Sequence, residues 1–168
     1  MELVEQLKQD GIAKGLCQPW QMKLKPGVST QRLVKLFIRG IDFCVNKNYP
    51  TLEFMRENFK GNSEPYGAYV DDVVNEKNLP DVVLNGDCKG TLVYDSYTVS
   101  RVVVRHTSKV SIKVFGYAHL TVDVFDDSAL DLVVAGTRAR VLVNKYGNSN
   151  VIVSGSGVKV VFKNKNTY

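Results

Sequence analysis

The chain has 168 residues, 44% of them apolar, and a formal net charge of +5. At this length one compact domain, or two small units sharing a core, is expected, and the ordinary apolar fraction excludes a disordered chain. The positive balance is modest and scattered among carboxylates, so it reads first as a solubility feature and not as a massed nucleic-acid-binding tract.

Met1 to Asp10 mixes Glu, Gln and Lys with Leu and Val and lacks the apolar centre of a signal peptide. No apolar run approaches the roughly twenty residues that span a bilayer. Cys17, Cys44 and Cys88 are odd in number and far apart, with no C-x-x-C pairing, so neither a disulfide framework nor a zinc site is indicated. Buried free thiols in a reducing cytoplasm are the expectation.

The first part of the chain carries helical spacing. Glu2 to Lys14 reads as an amphipathic helix with Leu3, Val4 and Leu7 on one side, and Gly15 suits its end. Cys17 to Ser29 is irregular, because Pro19 and Pro26 interrupt any helix, and Trp20 is expected to pin the loop to the core. A second helix starts after Ser29 or Thr30 and runs to about Asn48, with Leu33, Phe37, Ile41 and Cys44 or Val45 on one stripe, until Pro50 stops it. Thr51 caps a short third helix through Phe59. The domain reading is therefore 1–67 helical, 68–80 a linking segment, and 81–168 a repeat region.

From Asp81 the apolar period changes from helical to two, and β-branched residues take over. The phrases Leu92-x-Tyr94, Val102-x-Val104, Ile112-x-Val114, Val122-x-Val124 and Leu132-x-Val134 recur about every ten residues, and continue through Val141-x-Val143, Val151-x-Val153 and Val158-x-Val160. Turn residues separate them on schedule: Asn85-Gly86, Asp95-Ser96, Gly116, Asp126-Asp127-Ser128, Gly136, Gly147-Asn148 and Gly155-Ser156-Gly157. Two architectures fit, a parallel β-solenoid with two strands per coil or an antiparallel sandwich or meander. Near-constant strand and turn lengths favour the solenoid, since stacked coils demand matched lengths. The fold class is accordingly α+β: helices capping a solenoid of about four coils, roughly 20 Å tall at the spacing of paired strands.

The last outward-facing position of successive strands runs Val103, Lys113, Asp123, Val133, Leu142, Ile152 and Val161. Its final four members are apolar, where a solvated strand face would alternate. Val133, Leu142, Ile152 and Val161 are therefore the candidate interface of a homo-oligomer. A register error in the slipped repeats, or ordinary surface valines, would account for the same pattern.

Little else suggests chemistry. His106 in a turn and His119 before a strand have no neighbouring nucleophile. Asp126 and Asp127, with Asp123 and Asp131, form a single acidic turn where calcium β-rolls repeat one in every coil, so no metal is expected. Asp71, Asp72 and Glu76 read as a surface linker. Gly155-Ser156-Gly157 lacks the Lys-Ser/Thr ending and the following helix of a phosphate loop. Arg101, Arg105, Lys109 and Lys113, extended by Arg138, Arg140 and Lys145, form a candidate polyanion ladder, weakened by Asp123 and Asp131 and by the want of an aromatic platform. An enzyme would need a pocket near Trp20, Tyr66 and Tyr69, and no nucleophile or metal set is at hand to fill it; no cofactor is expected.

The x-Val-x-Val phrases separated by Gly, Asp, Asn and Ser turns resemble the short β-solenoid repeats of bacterial adhesin-like proteins. With Leu16-Cys17-Gln18-Pro19-Trp20 and Gly40-Ile41-Asp42-Phe43-Cys44 ahead of the repeats, the whole chain also resembles small proteins of gut commensal bacteria and their phages or mobile elements. These resemblances imply a non-enzymatic structural or interaction role and carry no active site. The expected partner is a second copy of the chain, another protein or a glycan, with nucleic acid as the alternative.

Overall fold

A computed structural model describes residues 2–168 and shows an α+β chain that divides into two compact units, one of helices up to Tyr66 and one of strands over Gly67–Thr167. In the helical unit, α1 (Leu3–Ala13) buries Val4 and Leu7 and ends before Gly15, which has the left-handed φ of 91° expected of a helix stop. The loop read as irregular contains one short helix, α2 (Gln18–Gln21), with Pro19 in its first turn, where the missing amide costs nothing.

The long second helix divides in two, α3 (Thr30–Arg39) and α4 (Ile41–Lys47), at Gly40. A Cβ on Gly40 would stand 3.2 Å from the Trp20 ring, so the indole packs closely over this glycine. Ser29 caps α3 by accepting from the Arg32 amide at 3.3 Å. The stop comes at Asn48, whose φ is 47°, and so ahead of Pro50. Thr51 caps α5 (Leu52–Asn58) in the same way, through the Phe54 amide. Tyr49 ties the unit together by donating to the Leu7 carbonyl at 2.7 Å, and burial pushes its phenol pKa up.

The second unit is a parallel β-solenoid. Its strands are β1 (Ala68–Val70), β2 (Val73–Lys77), β3 (Val82–Asn85), β4 (Lys89–Tyr94), β5 (Val99–Val104), β6 (Lys109–Val114), β7 (His119–Val124), β8 (Ala129–Val134), β9 (Arg140–Tyr146), β10 (Asn150–Gly155) and β11 (Val158–Lys163). Odd strands form one sheet in the order β1-β3-β5-β7-β9-β11, and even strands the other, β10-β8-β6-β4-β2. Every pairing is parallel, which excludes the antiparallel alternative. The stretch 68–80, expected to link, carries β1 and β2, so the solenoid gains a coil at its start. Its short strands lack the x-Val-x-Val phrase, which is why periodicity did not reveal them.

The inward columns are those the period-two pattern marks. Leu92, Ile112 and Leu132 stack in one sheet and Val102, Val122 and Val143 in the other, each at most 1% exposed. Burying these rows of Val, Leu and Ile side chains between the two sheets supplies the driving force, of the order of 1.5–3 kcal/mol for each fully buried side chain.

Candidate interaction surface

Two kinds of corner join the sheets. The first, where odd strands pass to even ones, is built from side chains that bond to the coil above or below. Asp71, Gly86, His106, Asp126 and Gly147 stand there in successive coils, all with φ between 51° and 75°. The His106 ring accepts from the Gly86 amide through Nδ1 at 2.9 Å, and the His106 amide donates to the Asp126 carboxylate at 2.8 Å. Asp71 likewise accepts from the Asp87 amide at 2.8 Å. Cys88, Ser108, Ser128 and Ser149 form the inner row of this corner, each at most 2% exposed. The Ser108 hydroxyl accepts from the Cys88 amide and donates to the Gly86 carbonyl.

Beside that row, Asn85, Arg105, Phe125 and Tyr146 occupy successive coils, all at most 4% exposed. The Phe125 and Tyr146 rings are stacked 4.3 Å apart. Arg105 donates to the Asn85 side chain at 3.3 Å. The turn histidine His106 is thus part of a coil-to-coil ladder, and Asp71 and Asp72, expected in a surface linker, are corner residues of the first coil.

The second corner, where even strands pass to odd ones, is closed differently. Asn78 accepts from the amides of Asp95 and Ser96 and donates to the Asp95 carboxylate, which also pairs with Lys77. Those two partners, Lys77 first and Asn78 next, hold the Asp95 carboxyl below its usual range. Further along, glycines make close backbone approaches at the turns: a Cβ at Gly155, whose φ is 105°, would lie 1.9 Å from the Val134 carbonyl oxygen. With little side-chain material folded inward, this corner leaves Tyr97, Phe115 and Tyr117 exposed.

The proposed interface residues do not lie in one column. Register places Val103, Asp123, Asn144 and Val161 together and, on the same sheet, Arg101, Thr121, Leu142 and Lys159. On the opposite sheet Val133 aligns with Lys113 and Ser154, and Ile152 with Asp131 and Ser111. Val133, Leu142, Ile152 and Val161 are therefore two residues on each of two faces. The loop after β8 is longer, so the phrase Val141-x-Val143 lies two residues out of step with Val122-x-Val124: Val122 pairs with Val143 and Val124 with Lys145. Inward parity survived the slip because it moved by two residues. Two positions taken as solvent-facing, Val103 and Asp123, are also buried, at 2% and 1% exposure.

The basic ladder is dispersed as well. Arg101 bonds the buried Asp123 carboxylate through Nε and a terminal nitrogen at 3.0 and 2.8 Å, and Asn144 holds the other carboxylate oxygen at 2.7 Å. Arg105 is 2% exposed, while Lys109 and Lys113 lie on the opposite sheet. Asp123 is thereby separated from Asp126, Asp127 and Asp131. Among the described residues no group of three or more His, Cys, Asp or Glu side chains could hold a metal ion. Cys44 and Cys88 are buried, whereas Cys17 is exposed, contrary to expectation. Burial pushes the Cys88 thiol pKa up. No described helix is long and apolar enough to cross a membrane.

Two further features bear on the end of the solenoid. All carboxylate residues lie at or before Asp131, so Arg138, Arg140, Lys145, Lys159, Lys163 and Lys165 carry more than the whole net charge of +5. The last coil is also thinly covered. Val151, Val153, Val158 and Val160 continue the inward columns but are only partly buried, and Ile152 and Phe162 are 60% and 71% exposed. Strands β10 and β11 pair on one side only.

No family model matches this chain, and no curated protein or solved structure shows significant similarity to it.

Proposed function

We propose that the chain is a non-enzymatic interaction protein that docks through the last coil of its solenoid, and that a second copy is the partner seated there. The carrying observation is the fall in burial along single columns, from 0% at Val122 and Val143 to partial exposure at Val160, on a coil with two unpaired strand edges. Such edges pair readily with another strand-bearing surface. Another copy offers the same cross-section and the same valine rows, which makes the contact self-complementary. The resemblance to adhesin-like solenoids and to small proteins of bacteria and their phages fits an assembly role of this kind.

The lysines around this end make the contact unusual. Lys159, Lys163 and Lys165 are repeated on both copies, so salt strengthens the association by screening their repulsion. Size-exclusion chromatography with light scattering tests this. A dimer that grows with added salt, and becomes monomeric when Ile152 and Phe162 are both changed to Lys, is the expected result. A monomer at every concentration and salt overturns the reading, as does a dimer indifferent to the double change.

A further inference from the structure

The second corner brings together aromatic rings and cations far apart in sequence. Because Val99, His119 and Arg140 are paired in register, the residues two positions before each, Tyr97, Tyr117 and Arg138, occupy the same corner position in successive coils. Tyr97 is 77% and Tyr117 49% exposed, and Arg138 is exposed beside them. The Arg138 guanidinium sits 5.1 Å from the Tyr117 ring centre and donates to its hydroxyl at 2.6 Å. This contact orients the cation and leaves most of its five N–H donors for another partner. His119 and Arg140 line the adjoining column, both exposed. Arg140 is braced by the Thr137 and Ala139 carbonyls at 3.1 and 2.9 Å.

We infer that this corner, with Tyr97 and Tyr117 standing in line with Arg138 and beside Arg140, binds single-stranded nucleic acid. Sequence-independent recognition of a single strand combines aromatic faces, on which bases stack, with cations that follow the phosphates. Both are present here, one element to a coil, at the strand spacing of about 4.8 Å. The local charge suits a phosphate chain. Of the carboxylates in the corner's early turns, Asp95 is paired with Lys77 and Asp81 accepts from the Arg101 amide, and no Asp or Glu side chain follows Asp131. A planar guanidinium over the Tyr117 ring, with a second exposed tyrosine at the same position of the neighbouring coil, favours flat bases over an anionic glycan, which would need the cations alone.

The test is fluorescence anisotropy of a labelled oligothymidylate against the full chain, titrated in salt from about 50 mM upward. Binding is expected at low salt, weakening linearly in log–log form. Tyr97→Ala with Tyr117→Ala should lower affinity about tenfold per ring with the salt slope kept. Arg138→Gln with Arg140→Gln should reduce that slope by about 0.7 per arginine. Lys89→Gln with Lys109→Gln, on the even-stranded sheet, should leave affinity unchanged. Far-UV circular dichroism verifies that each variant folds, and if the tyrosine pair does not, Tyr97→Ala alone decides, since that ring is mostly in solvent. Absence of binding at low salt overturns the inference. So does affinity that ignores Tyr97, or heparin bound as tightly as the oligonucleotide with loss only in the arginine variant, which would mark an anionic-glycan site.

Discussion

The two corners of the solenoid perform the same geometric task with opposite material. The corner of Gly86, His106 and Asp126 turns the chain by spending side chains on the backbone of the next coil, and it packs Phe125 on Tyr146 beside an inner row of serines. The corner of Gly116, Gly136 and Gly155 turns by glycine conformation and leaves its aromatic and basic side chains in solvent. The second corner also uses side chains at its Asn78–Asp95 turn, but its tyrosines stay outside the packed interior. The difference resides in whether the aromatic rings pack inward, as Phe125 and Tyr146 do, or stand outward, as Tyr97 and Tyr117 do, not in strand pairing, which is parallel throughout.

The largest test of this contrast compares two aromatic residues on one coil. Phe125→Ala removes a ring with 0% exposure from the stack on Tyr146 and should cost about 3–5 kcal/mol in urea unfolding. Tyr117→Ala should stay within about 0.5 kcal/mol, as surface substitutions do. Equal losses would erase the distinction between the corners. A middle-sized effect is expected at Ser108. Alanine there leaves the buried Cys88 amide without its acceptor and should cost about 1–3 kcal/mol, whereas Ser108→Thr, which keeps the hydroxyl, should recover part of the loss.

The smallest effect is electrostatic and belongs to the open corner. Lys77 and Asn78 lower the Asp95 pKa in the folded chain. Its stabilising contribution is therefore present above the ordinary aspartate range and is lost as the pH falls through the lowered folded value. Asp95→Asn should flatten that acid limb slightly in a plot of melting temperature against pH. It should leave the neutral-pH melting temperature nearly unchanged, because the pair is solvated. A large drop at neutral pH would show that this corner too depends on its side chains.

The candidate surface was legible in sequence only in part. The apolar outward positions suggested a contact end, but the four residues assigned to it fall on two faces. Their spacing was counted along the chain, and contacts run across it. The longer loop before Arg140 shifts β9 and β10 by two residues relative to that count, whereas Val161 on β11 returns to the column of Val103 and Asp123. The aromatic platform was overlooked for the same reason. Tyr97, Tyr117 and Arg138 lie a full coil apart in sequence and become neighbours only when coils stack. Arg101 and Asp123 read as opposing charges interrupting a ladder, and instead they satisfy each other.

The sequence by itself determined the α+β class, the Ser29 and Thr51 helix caps, the strand repeat and nearly every inward residue, because capping and period-two burial are local properties that each segment expresses alone, while it favoured parallel pairing without excluding the antiparallel one. Only the tertiary structure decided the division of the second helix at Gly40, the extra coil in 68–80, the fate of each outward residue and the meeting of rings and cations at one corner. Those depend on how many residues each loop places between stacked strands, and a parallel coil brings into contact residues that no local pattern relates.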